Sequence, residues 1–360
     1  IERGGVDIVA MGHSNVVKLY ENNGMKVFHD ESVTHGETVY FPMHMNVVAT
    51  ATAFAERIKA DVEEEHGDEA CYHGGQSWEA SKFDFDVRDS LIVADVLDSP
   101  FPPCPEALTV IREHLERCCQ ESPPTQCEEL IETIAEVRNV PSSHVAVSSG
   151  SSSLMFSLLP RLLNEESKVL VLSPMYGEYS HILKHVIGCH ITYFVLEDRN
   201  NFSIDASDLI SQACEHDAVI FVNPNSPTGV YCDSMGDIVK QIACSQNPDS
   251  VCKMIWVDET YINYLPDAVS LEAMCTVVPE LVVCKSMSKC YALSGLRVAY
   301  AVSQNMSMLK RYIPPWAVSL PGQLAAVAAL RNETYYGEQY EVIHGEREKM
   351  QSALEASGFR

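Results

Sequence analysis

Short, continuous apolar segments recur along the chain from about residue 145, and a polar turn follows each of them. The clearest are Val145–Val147, Lys168–Leu172, Ala218–Val222, Met254–Val257 and Leu281–Cys284. Runs of this length are typical of strands that are buried on both faces, as in a parallel sheet. Strand, turn and helix in repetition therefore predict an α/β fold whose functional groups gather at the carboxyl ends of the strands.

Helical periodicity accounts for much of the remaining chain. Predicted helices are Val47–Glu65, Glu106–Cys119, Thr125–Val137, Leu154–Leu163, Leu320–Arg331 and Glu333–Ala356. The first part of the chain is less regular, with strand-like Val6–Met11 and Lys26–Phe28. We therefore expect residues 1–66 to be an unassigned extension or a remnant of another domain, and residues 67–360 to form the main domain. Because the chain does not begin with Met, we expect it to be cut from a longer protein.

Composition narrows the class of protein. With 360 residues, of which 46% are hydrophobic, the chain can bury a large core. Lys and Arg total 25 against 50 Asp and Glu, and the net charge of −25 argues against nucleic acid or an anionic membrane as a partner. The 13 cysteines have neither C-x-x-C nor metal-type spacing, so we expect reduced thiols in a cytoplasmic protein, without a metal site. No apolar run reaches the roughly 18 residues of a membrane span.

A polar turn rich in phosphate-binding groups follows the last apolar segment. Ser286, Ser288 and Lys289 stand in this turn, and Arg297 follows eight residues after the lysine. A guanidinium offers a planar fork of donors to a phosphate, and the two hydroxyls add further donors. The lysine amine could form a Schiff base with a carbonyl compound and then move a proton.

Two other strand ends carry candidate groups. Ser148–Ser153 opens a predicted helix, and Gly150 in this segment would allow a phosphate to approach the backbone N–H groups. Together with Ser151 and Ser152, it would form a second wall of the phosphate site. Asp258 ends another strand, where it would be either a helix N-cap or a functional carboxylate.

These motifs resemble those of a known family. S-x-S-K followed by L-S-G-L-R-x-x-Y resembles the cofactor-lysine segment of the class I/II, fold type I, aminotransferases that depend on pyridoxal 5′-phosphate (PLP). His73–Gln76 and Leu91–Leu108 resemble the branch of histidinol-phosphate aminotransferase and threonine-phosphate decarboxylase. The resemblance implies a three-layer sandwich around a mostly parallel sheet, a small carboxyl-terminal domain that is incomplete here, and a homodimer.

The resemblance also implies roles for individual residues. Lys289 would hold PLP as a Schiff base and carry the substrate α-proton, and Asp258 would pair with the pyridine nitrogen. Tyr261 and Asn225 would donate to the phenolic oxygen, although relatives place an Asn at the position of Ser226. Tyr176 would stack on the ring. The phosphate would be bound by Gly150, Ser151, Ser152, Ser286, Ser288 and Arg297.

Three functions remain open at this point. The first is transamination of an amino acid or a derivative of one. The second is decarboxylation or another reaction without transamination, and the third, which we discount, is an aminotransferase-like ligand sensor. For residues 1–66, a similarity of G-V-D-I-V-A-M-G-H to nucleotidyltransferase-type Rossmann domains is the minor alternative to an unrelated extension.

Departures from the family pattern concern the substrate. Asp98 stands where relatives have an Asn near the substrate carboxylate, Ser122 replaces a Tyr and Ser319 replaces an Asn. An ionised Asp98 cannot donate to a carboxylate, so three alternatives arise: it is protonated, it points away, or the substrate has a different group there. We expect the third, a substrate with a cationic or neutral group facing Asp98. The arginine that binds the substrate carboxylate in relatives would lie beyond Arg360, so the sequence does not identify that anchor.

Overall fold

The structure is a computed structural model. It describes residues 7–13, 26–27, 33–35, 38–46, 76–91, 93, 96–243 and 252–358. The predicted helix Val47–Glu65 lies outside these residues, as does the His73–Gln76 motif except for its last residue. The chain divides into two units, one made of Ile1–Ala70 with Glu346–Arg360 and the other of Cys71–Gly345.

The first unit contains a small sheet. Its strands are β1 (Asp7–His13), β2 (Lys26–Val27), β3 (Val33–His35) and β4 (Thr38–Asn46). Strand β4 pairs with each of the other three, and all these pairings are antiparallel. A Rossmann sheet is parallel, so the described strands do not support the nucleotidyltransferase alternative.

The second unit is built on a seven-stranded sheet. Its strands are β5 (Val145–Ser148), β6 (Lys168–Ser173), β7 (His190–Val195), β8 (Ala218–Val222), β9 (Met254–Asp258), β10 (Leu281–Ser286) and β11 (Ala299–Val302). The order across the sheet is β5-β11-β10-β9-β8-β6-β7. Strand β11 runs antiparallel to both neighbours, whereas the other pairings are parallel. The carboxyl ends of β5, β8, β9 and β10 consequently lie at one edge.

Helices cover both faces of this sheet. Those that begin in the second unit are α1 (Gln76–Ser81), α2 (Phe85–Asp89), α3 (Pro105–Glu113), α4 (Leu115–Gln120), α5 (Glu128–Arg138), α6 (Gly150–Leu162), α7 (Gly177–His181), α8 (Ala206–Ala213), α9 (Met235–Ala243), α10 (Met306–Leu309), α11 (Leu320–Leu330) and α12 (Glu333–Ala356). A π-helical segment, Ile182–Ile187, continues α7.

Alternate strand residues enter two separate cores, which gives the sandwich its three layers. In β9, Ile255 and Val257 pack with α5, α9 and α11 on one face. Trp256, between them in sequence, packs with α6 on the other face. The predicted fold class, a three-layer α/β sandwich with a mostly parallel sheet, is confirmed.

Some elements differ from the prediction. The helix predicted over Glu106–Cys119 is broken at His114 into α3 and α4. Strands β7 and β11 were not predicted. Five of the six residues of β7 are exposed or half-buried because it is an edge strand, so it lacks the continuous apolar pattern of its neighbours. Among the described residues, no helix has both the length and the apolar character needed to cross a membrane.

Candidate active site

A cleft of about 620 Å³ opens at the carboxyl edge of the large sheet. Predicted site residues that line it are Asp98, Ser151, Ser152, Tyr176, Asp258, Tyr261, Ser286, Ser288, Lys289 and Arg297. Gly150 lies directly behind the Arg297 guanidinium. Residues from separate strand ends thus meet in one place, as expected where parallel strands end together.

Lys289 is paired with an acidic residue in the cleft. Its Nζ lies 3.2 Å from Oδ1 of Asp98, which also accepts a hydrogen bond of 2.7 Å from Ser294 Oγ. Partial burial alone would raise the pKa of Asp98, but the Ser294 hydrogen bond and the Lys289 charge bring it below the ordinary value. Asp98 is therefore ionised at neutral pH and points toward the lysine.

Several of the residues predicted to bind a phosphate lie next to Arg297. Its Nη1 lies 3.5 Å from Ser288 Oγ and 3.3 Å from the carbonyl oxygen of Ser294. Gly150 has φ of +84°, and a Cβ there would lie 2.4 Å from Arg297 Nη2. Only glycine leaves room for the guanidinium at this helix start. Ser286 Oγ accepts a hydrogen bond of 3.2 Å from the Ser288 N–H, so the strand end and the turn are joined.

Asp258 is buried and its carboxylate is held on both sides. Oδ1 accepts from the N–H and the hydroxyl of Thr260, and Oδ2 accepts from Tyr179 Oη at 2.7 Å. Trp256 Nε1 in turn donates to Tyr179 Oη at 2.9 Å. Burial raises the pKa of Asp258, against the lowering effect of these hydrogen bonds. A buried carboxylate in this position would be stabilised by a cationic partner.

Tyr261 and Ser226 lie together in the cleft, whereas Asn225 does not line it. Burial and the nearby charge of Asp258 raise the pKa of Tyr261 to about 12, and a hydrogen bond with Ser226 opposes this shift. Both amide N–H groups of Asn225 are used, by the Pro174 carbonyl and by Thr228 Oγ1. The structure thus brings Ser226, and not Asn225, to the wall of the cleft. The signal was the position of Ser226 immediately before Pro-Thr-Gly.

Tyr176 forms part of the cleft wall next to the first turn of α6. Its ring centroid lies 6.2 Å from that of Tyr179. Burial and the charge of Glu178 raise the pKa of Tyr176 above its ordinary value. Ser152 Oγ donates to Glu178 Oε2 at 2.9 Å, which fixes the serine next to the tyrosine segment.

A buried cluster of charges lies directly beside the cleft residues in sequence. Lys285 precedes Ser286, and its Nζ lies 2.8 Å from Glu272 Oε2 and 3.3 Å from Glu259 Oε2. Arg138 Nε lies 3.7 Å from Glu272, whose other oxygen accepts from Tyr300 Oη at 2.7 Å. Sequence reasoning missed this cluster. A lysine inside an otherwise apolar strand was the only local signal.

The fold and the cleft together define the class: a fold type I enzyme that uses PLP. Histidinol-phosphate aminotransferase from Clostridium botulinum is 29% identical over 256 residues, which cover 69% of this chain and 68% of that protein. Among solved structures, histidinol-phosphate aminotransferase from Sinorhizobium meliloti in complex with PLP has a TM-score of 0.63 at 21% identity, covering 73% of this chain and 70% of the other. YbdL from Escherichia coli, identified as a methionine aminotransferase, also has a TM-score of 0.63, at 19% identity, covering 72% and 71%.

The chain belongs to the family of class I and II aminotransferases, whose model matches residues 95–360. It is a PLP-dependent aminotransferase, which confirms the predicted function and cofactor. The cleft fits this cofactor in two respects. First, Gly150 has no Cβ, so the Arg297 guanidinium can lie against the start of α6, where backbone N–H groups suit a phosphate. Second, the buried carboxylate of Asp258 suits a protonated ring nitrogen.

Proposed function

We propose that Lys289 is the catalytic amine of this aminotransferase and that the cleft around it binds both PLP and an amino substrate. The observation that carries this proposal is the position of Lys289 Nζ in one cleft with Asp258 and Arg297. These three groups come from the turn after β10, from the end of β9 and from the segment just before β11, and they meet in one cleft.

The PLP phosphate is bound by Arg297 and by the hydroxyls and N–H groups around it. Those groups belong to Gly150, Ser151, Ser152, Ser286 and Ser288. Asp258 pairs with the ring nitrogen, and Tyr179 and Thr260 keep its carboxylate oriented. Tyr261 and Ser226 provide hydroxyl groups for the phenolic oxygen, and Tyr176 covers the ring.

When bound, PLP supplies an aldehyde that condenses with a primary amine and a ring that withdraws electrons from the substrate Cα. Lys289 would hold the cofactor through its amine, and its Nζ, when not bound to the cofactor, would take up and return the proton at the substrate Cα. Asp258 acts through its negative charge, which favours the protonated ring. Tyr179 is a positioning residue, because it contacts Asp258 and does not line the cleft.

Asp98 has a role in substrate binding. In the protein alone its carboxylate pairs with Lys289, and once that lysine is engaged, Asp98 is left without this cation. An ionised carboxylate in this position favours a cationic or neutral substrate group. Asp98→Asn should weaken the native donor and improve simple α-amino acids in a panel of amino donors. An unchanged ranking of that panel would place Asp98 outside substrate recognition.

The protein works as a homodimer in the cytoplasm. Support for a dimer comes from large apolar side chains left exposed on α6, α10 and the segment after it, namely Phe156, Met308, Tyr312 and Trp316. Arg161 of α6 lies over the Tyr312 ring at 5.2 Å, so part of this set is contiguous. The free thiols of the described cysteines suit a reducing compartment. Light scattering of the purified protein measures the oligomeric state directly.

The test of the proposed function is the covalent attachment of PLP. The purified chain with PLP should have the visible absorbance of the lysine-bound cofactor, and borohydride should fix PLP on Lys289, as mapped by peptide mass spectrometry. Lys289→Ala should lose both signals, whereas Lys240→Ala, on the exposed surface of α9, should keep them. Attachment to a different lysine would refute the proposal.

A further inference from the structure

An arginine that sequence reasoning did not single out enters the cleft from the short helices α1 and α2. Arg88 lies in the last turn of α2 and lines the same cavity as Lys289 and Asp98. The start of α2 is capped by Asp84, whose Oδ1 accepts from the Val87 N–H at 3.1 Å. This cap fixes the turn between the two helices and with it the position of Arg88.

The guanidinium of Arg88 is oriented by two neighbours on α1. Its central carbon lies 3.9 Å from the centroid of the Trp78 ring, and its Nη1 donates to Ser77 Oγ at 2.9 Å. Stacking on an aromatic face leaves the edge of a guanidinium open to in-plane hydrogen bonds. These two contacts fix the orientation of the Arg88 guanidinium, and its other N–H groups can donate to a ligand.

Arg88 differs from the other two cations of the cleft in its partners. Lys289 is paired with Asp98, and Arg297 is bound to Ser288 and the Ser294 carbonyl within the predicted phosphate site. Among the described residues, by contrast, no carboxylate lies within ion-pairing distance of Arg88. Its charge still contributes to lowering the pKa of Asp98. Arg88 is therefore near the reacting end of the cleft, and within the described part of the chain it has no direct ion pair.

We propose that Arg88 binds a carboxylate of the substrate, so that a donor is oriented between this guanidinium and Lys289. The inference rests on the proposed function of the cleft. Arg88 adds to the cleft a positive charge for a carboxylate, which the ionised Asp98 alone would repel. A planar fork binds a planar carboxylate with two parallel hydrogen bonds, which a lysine could not provide.

Direct binding is measured with succinate, a dicarboxylate that has neither an amine nor a keto group to react. Isothermal titration of the PLP-loaded protein should detect binding, and Arg88→Gln should weaken it by about 10- to 100-fold. Arg88→Lys should recover only part of this loss. Arg331→Gln is the matched control, because Arg331 is an exposed arginine paired with Glu129 outside the cleft. Succinamide, the neutral analogue, should bind weakly and equally to all variants.

Kinetics then separate the two carboxylates that a substrate could present. If Arg88 binds the α-carboxylate, Arg88→Gln should lower kcat/KM for L-glutamate and L-glutamine to the same extent. If it binds a distal acidic group, only L-glutamate should be affected. Unchanged succinate affinity in Arg88→Gln, or no succinate binding to the parent protein, would overturn the inference. Failure of the proposed function is a separate result, because it appears as loss of PLP attachment at Lys289.

Discussion

Replacing Lys285 with methionine should destabilise the protein by about 3 to 5 kcal/mol. Methionine is similar in length and apolar, so the packing volume changes little while the charge is removed. The Lys285 side chain is only 4% exposed, and it is bound to two carboxylates, Glu259 and Glu272, that are themselves buried. Removal of one member of such a cluster costs more than its pairwise attraction suggests, because the remaining charges stay in a medium that solvates them poorly.

The two glutamates would be affected differently. Glu272 would keep Tyr300 Oη at 2.7 Å and Arg138 at 3.7 Å. Glu259 would keep only neutral donors, Ser270 Oγ and the Leu271 N–H, at 2.6 and 2.8 Å. Most of the loss should therefore come from Glu259. Double replacement with Lys285→Met and Glu259→Gln should recover part of the stability.

The pH dependence of the loss has a defined sign. Burial already raises the pKa of Glu259 above its ordinary 4.5, against the lowering effect of Lys285. Without Lys285 the folded-state pKa rises further, so the folded state binds a proton that the unfolded state has released. Stability then falls as pH rises through this interval. The deficit of Lys285→Met should be smaller at pH 4 than at pH 8.

Urea unfolding followed by tryptophan fluorescence, to which the buried Trp256 contributes, measures these differences. The control is Lys240→Met, which removes an exposed lysine 3.2 Å from Asp237 and should cost less than about 1 kcal/mol. A loss for Lys285→Met no larger than that of the control would refute the reasoning, as would a deficit that is independent of pH.

Three further substitutions test the site. Arg297→Ala should weaken PLP binding by about 2 to 4 kcal/mol in a fluorescence titration, and unchanged affinity would mean that the phosphate binds elsewhere. Gly150→Ala should lower both Tm and PLP affinity, because φ is +84° and the new Cβ would meet Arg297; Gly337→Ala, in an open position of α12, should do neither. Asp258→Asn should reduce kcat far more than PLP affinity, and equal losses in the two would point to a structural cap.

The site residues that could be predicted are those that lie at or just after the end of a strand. Ser286, Lys289 and Arg297 are close in sequence, and Asp258 follows an unmistakable buried strand. Parallel strands bring such ends to one edge, so local patterns were sufficient to place these residues together. Asn225 and Ser226 are adjacent, and the choice between them depended on which side chain the turn directs into the cleft. That direction is a property of backbone conformation, and the one sequence signal for it was the position of Ser226 immediately before Pro-Thr-Gly.

The supporting contacts could not be predicted in the same way. Tyr179 reaches Asp258 and Trp256 across 79 and 77 residues, so no sequence spacing relates the three. Tyr179 is the second aromatic residue of S-P-M-Y-G-E-Y. Its position alone did not show that it contacts Asp258 rather than the cofactor ring. The Arg88 stack on Trp78 depends likewise on a turn between two short helices, each with fewer residues than periodicity needs for a clear signal.

Strand alternation connects the buried charge cluster to the active site. Side chains of successive strand residues point to opposite faces of the sheet. Lys285 therefore shares a face with Val283, and Glu259 continues the face of Val257, both of which belong to the larger core. Ser286, by the same alternation, lies on the opposite face from Lys285. The ion pair between Lys285 and Glu259 thus ties together the ends of β10 and β9, one residue away from two groups of the cleft. Stability of the core and geometry of the cofactor site consequently depend on the same two backbone segments, so substitutions in the cluster should change PLP affinity as well as the free energy of unfolding.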